Sequence, residues 1–311
     1  EAPTVKRQAE IDYEKAERAL AQAKVDYVTK VSQAQAKMRE VGADVERQRN
    51  LLQIVQDVMS NFTIRAPAPR FQPKIYAPGR YTVELEGDAE VAAVLLGGAD
   101  GAEPTLHLPG RSLKILAATR VAPAATLHLD GGIVTGPGDL LIDGLLSWTG
   151  GSMSGAAVVR VSPTGRVVVT GDERKFLSLR SLESSGHVTW SGGGDWVVTF
   201  NSAVRNLAGG RFHVEADALF DVYGPPGPRF ENAGSFTRAG GGATVFEAPF
   251  SNAGTVEVTA GELELLEGYT QTGGTTQVAA GAAIRSPRQL DVRAGTVGGE
   301  GEHPRLADVA P

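Results

Sequence analysis

The stretch 230–256, FENAGSFTRAGGGATVFEAPFSNAGTV, contains two copies of one short motif, and it decides the fold. The tripeptide Asn-Ala-Gly occurs at 232–234 and again at 252–254, and each copy is followed by a small polar residue and then an apolar one. Asn206 occupies a related position earlier in the chain. A motif that returns after about 20 residues of strand-forming sequence matches one coil of a β-solenoid. The stretch therefore predicts stacked coils with equivalent residues above one another.

A Gly-x-apolar unit continues this repeat on both sides, with spacings of 21, 21, 24, 24, 20, 20 and 21 residues. We expect glycine at each turn because it adopts positive φ without strain, and asparagine suits the same corners and stacks in ladders. The predicted turn glycines are Gly144, Gly165, Gly186, Gly210, Gly234, Gly254, Gly274 and Gly295.

The repeat predicts the fold class of most of the chain. We predict a mainly β protein: a right-handed parallel β-helix (solenoid) of about 20–21 residues per rung, preceded by one long coiled-coil α-helix. Each rung is expected to contain two or three short strands that stack at about 4.8 Å. A β-sandwich with turns every 8–12 residues or so is the alternative, and the return of whole motifs favours the solenoid.

The N-terminal region has a different period. Its apolar residues alternate in steps of three and four, as in the seam of a coiled coil, and no proline occurs between Pro3 and Pro67. Such a seam predicts a partner helix or a second copy of the chain. The predicted seam consists of Leu20, Tyr27, Val31, Met38, Val41, Val45, Leu52, Val55 and Met59.

These patterns divide the chain into four parts. We assign 1–69 to the long helix, 70–80 to a linker or cap, 81–303 to the solenoid and 304–311 to a tail.

The end of the helical region resembles a known family. The motif Thr63, Ile64, Arg65, Ala66 and Pro67, after the heptad pattern of 5–62, is similar to the α-hairpin of periplasmic adaptor (membrane-fusion) proteins of the HlyD family. The resemblance implies docking to a channel in type I secretion or tripartite efflux. The family pattern stops at Arg70, where a glycine is expected, and no second lipoyl half follows.

The repeat region resembles another group. The stretch 145–155, LLSWTGGSMSG, and the stretch quoted first are similar to repeats of secreted bacterial β-helix proteins, like those of autotransporter passengers. This resemblance covers most of 79–301 and implies an extracellular, structural or adhesive module. It brings no catalytic motif with it.

The composition of the chain argues against several classes of protein. The net charge is −6 and no basic block alternates with aromatics, so a nucleic-acid partner is not expected. The absence of cysteine excludes disulfides and thiol chemistry. No apolar run reaches the roughly 18 residues of a transmembrane helix. We predict no catalytic, cofactor or metal site.

The histidines do not change this prediction. None lies at metal-ligand spacing from another, and we expect outward-facing strand residues. They are His107, His128, His187, His213 and His303. Two Gly-rich turns, 136–139 and 192–195, resemble calcium-binding turns only as single copies, and a simple turn is the preferred interpretation.

A carboxylate cluster is the remaining candidate for chemistry. Glu257, Glu262, Glu264 and Glu267 lie within about one rung, and the middle two share a strand face, as the carboxylates of a glycosidase would. Without a basic partner in the sequence nearby, a solvated acidic face is preferred. Sugar stacking and core packing remain alternatives for Trp148, Trp190, Trp196 and Tyr269.

Three functions follow as hypotheses. The first is a non-catalytic cell-envelope or secreted surface protein, with the solenoid as a structural or adhesion-type display rod on a coiled-coil stalk. It would be extracellular or at the cell surface and would contact a surface glycan. The second is a periplasmic adaptor that contacts an envelope channel, and the third is a carbohydrate-active β-helix enzyme.

The sequence is consistent with a natural fusion of 1–69 to 70–311 and with two joined reading frames.

Overall fold

The protein is described here by a computed structural model. The described residues are 74–75, 79–98, 101–224, 227–288 and 290–302, together with scattered positions between 7 and 49. The chain divides into two compact units, Glu1–Thr63 and Ile64–Pro311.

In the first unit, every described residue is helical and exposed. The exposed fraction of the Met38 side chain is 75% and that of Leu20 is 57%, and both belong to the predicted seam. Three further seam residues are exposed in the same way: Val31, Val41 and Val45. The rest of the seam (Tyr27, Leu52, Val55 and Met59) and the adaptor-like motif 63–67 lie outside the described residues. The structure thus shows helix at the described positions, and the long coiled coil stays a prediction.

In the second unit, the described residues form three parallel sheets, which we call A, B and C. Sheet A has eleven strands. They are β1 (Lys74–Ile75), β4 (Leu95–Leu96), β7 (Thr119–Val121), β10 (Leu140–Ile142), β13 (Val158–Val161), β16 (Ser181–Ser184), β19 (Ala203–Asn206), β22 (Arg229–Asn232), β25 (Phe250–Asn252), β28 (Tyr269–Gln271) and β31 (Asp291–Val292).

Sheet B also has eleven strands, and the Gly-x-apolar units lie at their beginnings. They are β2 (Gly79–Glu84), β5 (Ala102–Pro109), β8 (Thr126–Asp130), β11 (Leu145–Trp148), β14 (Arg166–Val169), β17 (His187–Trp190), β20 (Arg211–Val214), β23 (Ser235–Arg238), β26 (Thr255–Val258), β29 (Thr275–Val278) and β32 (Thr296–Gly299).

Sheet C has ten strands. They are β3 (Ala89–Val91), β6 (Ser112–Ile115), β9 (Ile133–Thr135), β12 (Gly151–Ser154), β15 (Lys175–Ser178), β18 (Trp196–Thr199), β21 (Leu219–Tyr223), β24 (Ala243–Phe246), β27 (Glu262–Leu265) and β30 (Ala283–Arg285).

The chain visits the three sheets in turn, so each strand pairs in parallel with the strand three places later. This is a parallel β-solenoid of about ten coils, roughly 50 Å long at the usual spacing of parallel strands. The register from Leu145 through Arg166 to His187 advances by 21 residues per coil, in agreement with the spacing of the repeat. The prediction of a mainly β parallel solenoid is confirmed. The right-handed winding stays a prediction.

Buried and partly exposed residues alternate within the strands, and the buried side chains form the core. In β23 and β24 the second and fourth residues are buried while the first and third are partly exposed. Aromatic side chains fill the middle coils, where Phe230 lies 4.7 Å from Phe250 and 5.3 Å from Phe246 between ring centroids. Aromatic pairs at such distances add to the energy of area burial, so they stabilise these coils.

An asparagine ladder stabilises the corner between sheets A and B. Asn206 Nδ2 donates to Asn232 Oδ1, and Asn232 Nδ2 donates to Asn252 Oδ1, each at 2.7 Å. All three side chains are buried. Gln271 takes the equivalent place in the following coil. The ladder explains why asparagine returns at this corner in three successive coils.

The turn glycines lie at this same corner, but the reason for glycine differs from the expectation. Of the eight, only Gly274 and Gly295 have positive φ. At all eight, an added Cβ would come closer than 3.0 Å to an atom of the preceding coil. At Gly254 that atom is the backbone oxygen of Gly234. Close stacking of coils, rather than left-handed backbone, therefore requires glycine at most of these positions.

The solenoid begins earlier in the chain than the sequence predicts. Strand β1 and the beginning of β2 lie within 70–80, the segment that the sequence assigns to a linker or cap. At the other end, β32 finishes at Gly299 and a bridge joins Ala283 to Glu302. The predicted tail 304–311 lies outside the described residues.

Candidate functional site

Two histidines lie one above the other on the outer face of sheet B. In the register of three successive coils, Glu84 pairs with His107 and His107 pairs with His128. The two imidazole rings are stacked, with centroids 4.7 Å apart and an interplanar angle of 21°. Since outward side chains of neighbouring parallel strands lie about 4.8 Å apart, the register brings these groups together.

Two carboxylates flank this pair, and we call the four residues Glu84, His107, His128 and Asp130 the histidine cluster. His107 Nδ1 lies 3.4 Å from Glu84 Oε2, and His107 Nε2 lies 3.6 Å from Asp130 Oδ2. The hydroxyl of Thr149 donates to Asp130 Oδ1 at 2.8 Å. Among the described residues, neither His107 Nε2 nor His128 Nε2 has a hydrogen-bond partner, although both atoms are buried.

The surroundings of the cluster shift the pKa values of His128 and Asp130. Burial, and then the neighbouring His107, lower the pKa of His128 below its ordinary value. The hydrogen bond from Thr149 is the main influence that holds the pKa of Asp130 below its usual range. Both shifts favour the forms that coordinate metals, which are the neutral imidazole of His128 and the ionised carboxylate of Asp130. The ligand atoms of His107, His128 and Asp130 all lie within 4.8 Å of one another.

This cluster is not among the predicted sites, because the spacing of its histidines matches no local metal-binding motif. The pattern TLHL occurs at 105–108 and at 126–129, so the histidines are 21 residues apart. That distance equals one coil of the repeat. Had the coil length been applied to the histidines, it would have placed them next to each other.

The other histidines are placed differently. His187 is exposed, and His213 Nε2 lies 3.1 Å from Glu215 Oε1 on the same outer face of sheet B. His303 lies outside the described residues.

The predicted carboxylates lie on outer faces. Glu262 and Glu264 both point outward from β27, and Glu262 forms an ion pair with Arg285. Glu267 pairs with Arg288 at 2.9 Å, and Glu257 is exposed on sheet B. The basic partners that the sequence did not reveal come from the following coil. These contacts make Glu262 and Glu267 members of surface ion pairs.

The aromatic candidates for sugar stacking are core residues. Trp148, Trp190 and Trp196 have no exposed surface, and Tyr269 is 2% exposed. Burial raises the pKa of Tyr269 to about 12. The core-packing alternative is therefore the correct one for these four residues.

The Gly-rich turns are occupied by interactions within the protein. The carbonyls of Gly136 and Gly138 accept hydrogen bonds from the fully buried Arg180 at 2.7 and 3.0 Å. Burial lowers the pKa of Arg180 to about 10. Asp139 Oδ1 accepts from the backbone N–H of Val158 at 2.8 Å. In the second turn, Asp195 pairs with Arg174 at 3.2 Å. In both turns these groups make contacts within the protein.

Exposed apolar side chains collect where sheet C turns towards sheet A. Leu179, Phe200 and Tyr223 lie at the ends of β15, β18 and β21 in three successive coils, and we call them the corner patch. Their exposed fractions are 54%, 47% and 55%. The backbone of Leu179 and Phe200 is left-handed, with φ of 56° at each, which is unusual for bulky residues.

Comparison with families, with characterised proteins and with solved structures finds no match for this chain. No helix in the described part of the chain has the length and hydropathy that crossing a membrane requires.

Proposed function

We propose that this is a non-catalytic secreted or cell-envelope protein whose solenoid is a rigid display rod, and that the corner patch is its adhesive contact. The observation that carries the proposal is the collection of large exposed apolar side chains at one edge of three successive coils. Contiguous apolar surface on an otherwise polar exterior marks interaction sites. The extracellular location is carried over from the expectation, made from the sequence, that 79–301 is a secreted module.

The backbone at the patch supports a role in contact rather than in folding. A left-handed conformation costs a bulky residue about 1–3 kcal/mol, and such strain collects at functional positions. Leu179 and Phe200 nevertheless bring large side chains to the surface there. Folding alone would favour glycine at both positions.

The chemistry of the patch fits a surface glycan. The rings of Phe200 and Tyr223 offer apolar faces, and polar groups lie beside them. The Asp221 carboxylate next to Tyr223 raises the pKa of its hydroxyl, and Arg174 acts in the opposite direction. Apolar faces bordered by a few polar groups are typical of sites that bind small ligands.

A double variant tests the proposal. The purified chain carrying Leu179→Gly and Phe200→Gly should bind an array of bacterial and host-cell polysaccharides at least about tenfold more weakly than the unaltered chain, because a few large side chains carry most of the energy of a contact surface. Its urea midpoint should be equal or higher, because glycine relieves the left-handed strain. The matched control is Ile133→Ser, an exposed apolar residue of sheet C outside the patch, which should bind normally.

Four results contradict the proposal. Unchanged binding by the double variant, or no binding by the unaltered chain, removes the adhesive role. A lower urea midpoint for the double variant assigns the two side chains to folding instead. Release of new reducing ends from any polysaccharide on the array would contradict the non-catalytic role and favour the carbohydrate-active enzyme.

The exposed seam favours a second candidate, an adaptor of a type I secretion or tripartite efflux system. Met38 and Leu20 expose more than half of their side chains, and a coiled-coil partner would cover them. We propose a long coiled-coil stalk over 1–69 that pairs with a partner helix or a second copy. Sedimentation of the full chain tests this: a dimer or larger assembly supports it, and a monomer at all concentrations contradicts self-pairing.

A further inference from the structure

The geometry points to a binding site for a late first-row divalent metal ion such as Zn²⁺ at the histidine cluster, with His107 Nε2, His128 Nε2 and an Asp130 carboxylate oxygen as its ligands. These three residues come from two neighbouring coils, and one possible ligand atom of each, a ring nitrogen or a carboxylate oxygen, lies within 4.8 Å of the other two. The site is independent of the corner patch, which lies on another sheet.

The donor set fits this class of ion. Imidazole nitrogen and carboxylate oxygen are common zinc ligands at about 2.0–2.2 Å, whereas Ca²⁺ and Mg²⁺ prefer oxygen ligands alone. In a tetrahedral arrangement, two such ligand atoms lie about 3.4 Å apart. In the structure the two rings are stacked at an interplanar angle of 21°, so at least one imidazole ring has to rotate before both Nε2 lone pairs point at one ion.

The unsatisfied nitrogens point to the same ligand. Both Nε2 atoms are buried and neither makes a hydrogen bond to the described part of the chain, although Asp130 Oδ2 lies 3.6 Å from His107 Nε2. A buried polar atom without a partner is costly, so such an atom calls for an explanation. A metal ion between the two imidazoles and Asp130 would satisfy both nitrogens.

Glu84 provides the supporting contact that metal-binding histidines usually have. Its carboxylate lies 3.4 Å from His107 Nδ1, on the side of the ring opposite Asp130. A carboxylate at Nδ1 favours the tautomer with its proton there, which leaves the Nε2 lone pair for the metal. Glu84 is thus a positioning residue rather than a ligand in this assignment.

Binding of Zn²⁺ to the full purified chain, after removal of metals with EDTA, tests the site by calorimetry. We expect one ion per chain, and binding at least about tenfold weaker for His128→Asn and for Asp130→Asn. The matched control His213→Asn removes another outward histidine of sheet B with a carboxylate neighbour, and it should bind Zn²⁺ normally.

Two further measurements separate the site from folding and from adventitious binding. Circular dichroism in EDTA should be the same for all variants, and Co²⁺ should give the visible absorption of a tetrahedral site only when His107 and His128 are both present. Equal Zn²⁺ affinity in His128→Asn and the unaltered chain, or no binding at all, would overturn the assignment. Equally tight binding of Mg²⁺ would contradict the nitrogen ligands.

Discussion

Alanine at Gly254 is expected to lower the free energy of unfolding of the solenoid by about 3 kcal/mol. The added Cβ would come closer than 3.0 Å to the backbone oxygen of Gly234 in the preceding coil. The corner cannot move away easily, because Gly254 N–H donates to Asn252 Oδ1 at 3.0 Å and Asn252 belongs to the buried ladder. One coil would have to separate from the next. Each coil contacts only its neighbours, so the variant should lose stabilising contacts mainly between the coils next to Gly254.

Urea unfolding followed by tryptophan fluorescence measures this effect, because all three tryptophans of the chain lie in the core of the solenoid. The matched control is Gly241→Ala, where an added Cβ meets open space and φ is not left-handed. Its free energy of unfolding should stay within about 0.5 kcal/mol of the unaltered chain. Equal midpoints for the two variants would contradict the close stacking of the coils at the corner.

Alanine at Phe230 is expected to cost about 3–5 kcal/mol of the same free energy. The Phe230 side chain is fully buried in the aromatic core, with ring centroids 5.0 Å from Phe212 and 4.7 Å from Phe250. A cavity at this position would persist, because β22 is held in register by strands on both sides, β19 and β25. The surrounding rings therefore have little freedom to close it.

The control for this variant is Phe176→Ala. Phe176 points outward from β15 and is 37% exposed, so its loss should change the free energy of unfolding by less than about 1 kcal/mol. Urea titration of both variants provides the comparison. If Phe230→Ala proves as stable as Phe176→Ala, the aromatic core does not stabilise the middle coils.

The period of the solenoid could be predicted from the sequence because similar residues recur at one corner of successive coils. The Asn-Ala-Gly motif marks the residues that stack, and the observed pairing of Asn206, Asn232 and Asn252 follows its spacing. The number of sheets was less accessible, since only one of the three corners carries a repeated motif. The sequence also could not show why glycine is required at the turns. That reason is the short distance between neighbouring coils, which depends on how the coils stack.

The candidate sites depended on contacts between coils. His107 and His128 look isolated along the chain, and only the register places Asp130 and Glu84 beside them. The corner patch combines Leu179 and Phe200, whose left-handed backbone no local sequence rule predicts for bulky residues. Burial of the tryptophans likewise follows from inward alternation once the strands are located.

The stacking register is the central claim, and double electron–electron resonance between spin labels measures it most directly. The chain has no cysteine, so labels attach only at introduced ones. With one label at Thr126→Cys and the second at Ser235→Cys, Thr255→Cys or Thr275→Cys, the labelled positions are five, six and seven coils apart on the outer face of sheet B. The solenoid predicts distances of about 24, 29 and 34 Å, rising by one strand spacing per coil. Distances that do not rise from one pair to the next would contradict the stacked coils and favour a β-sandwich.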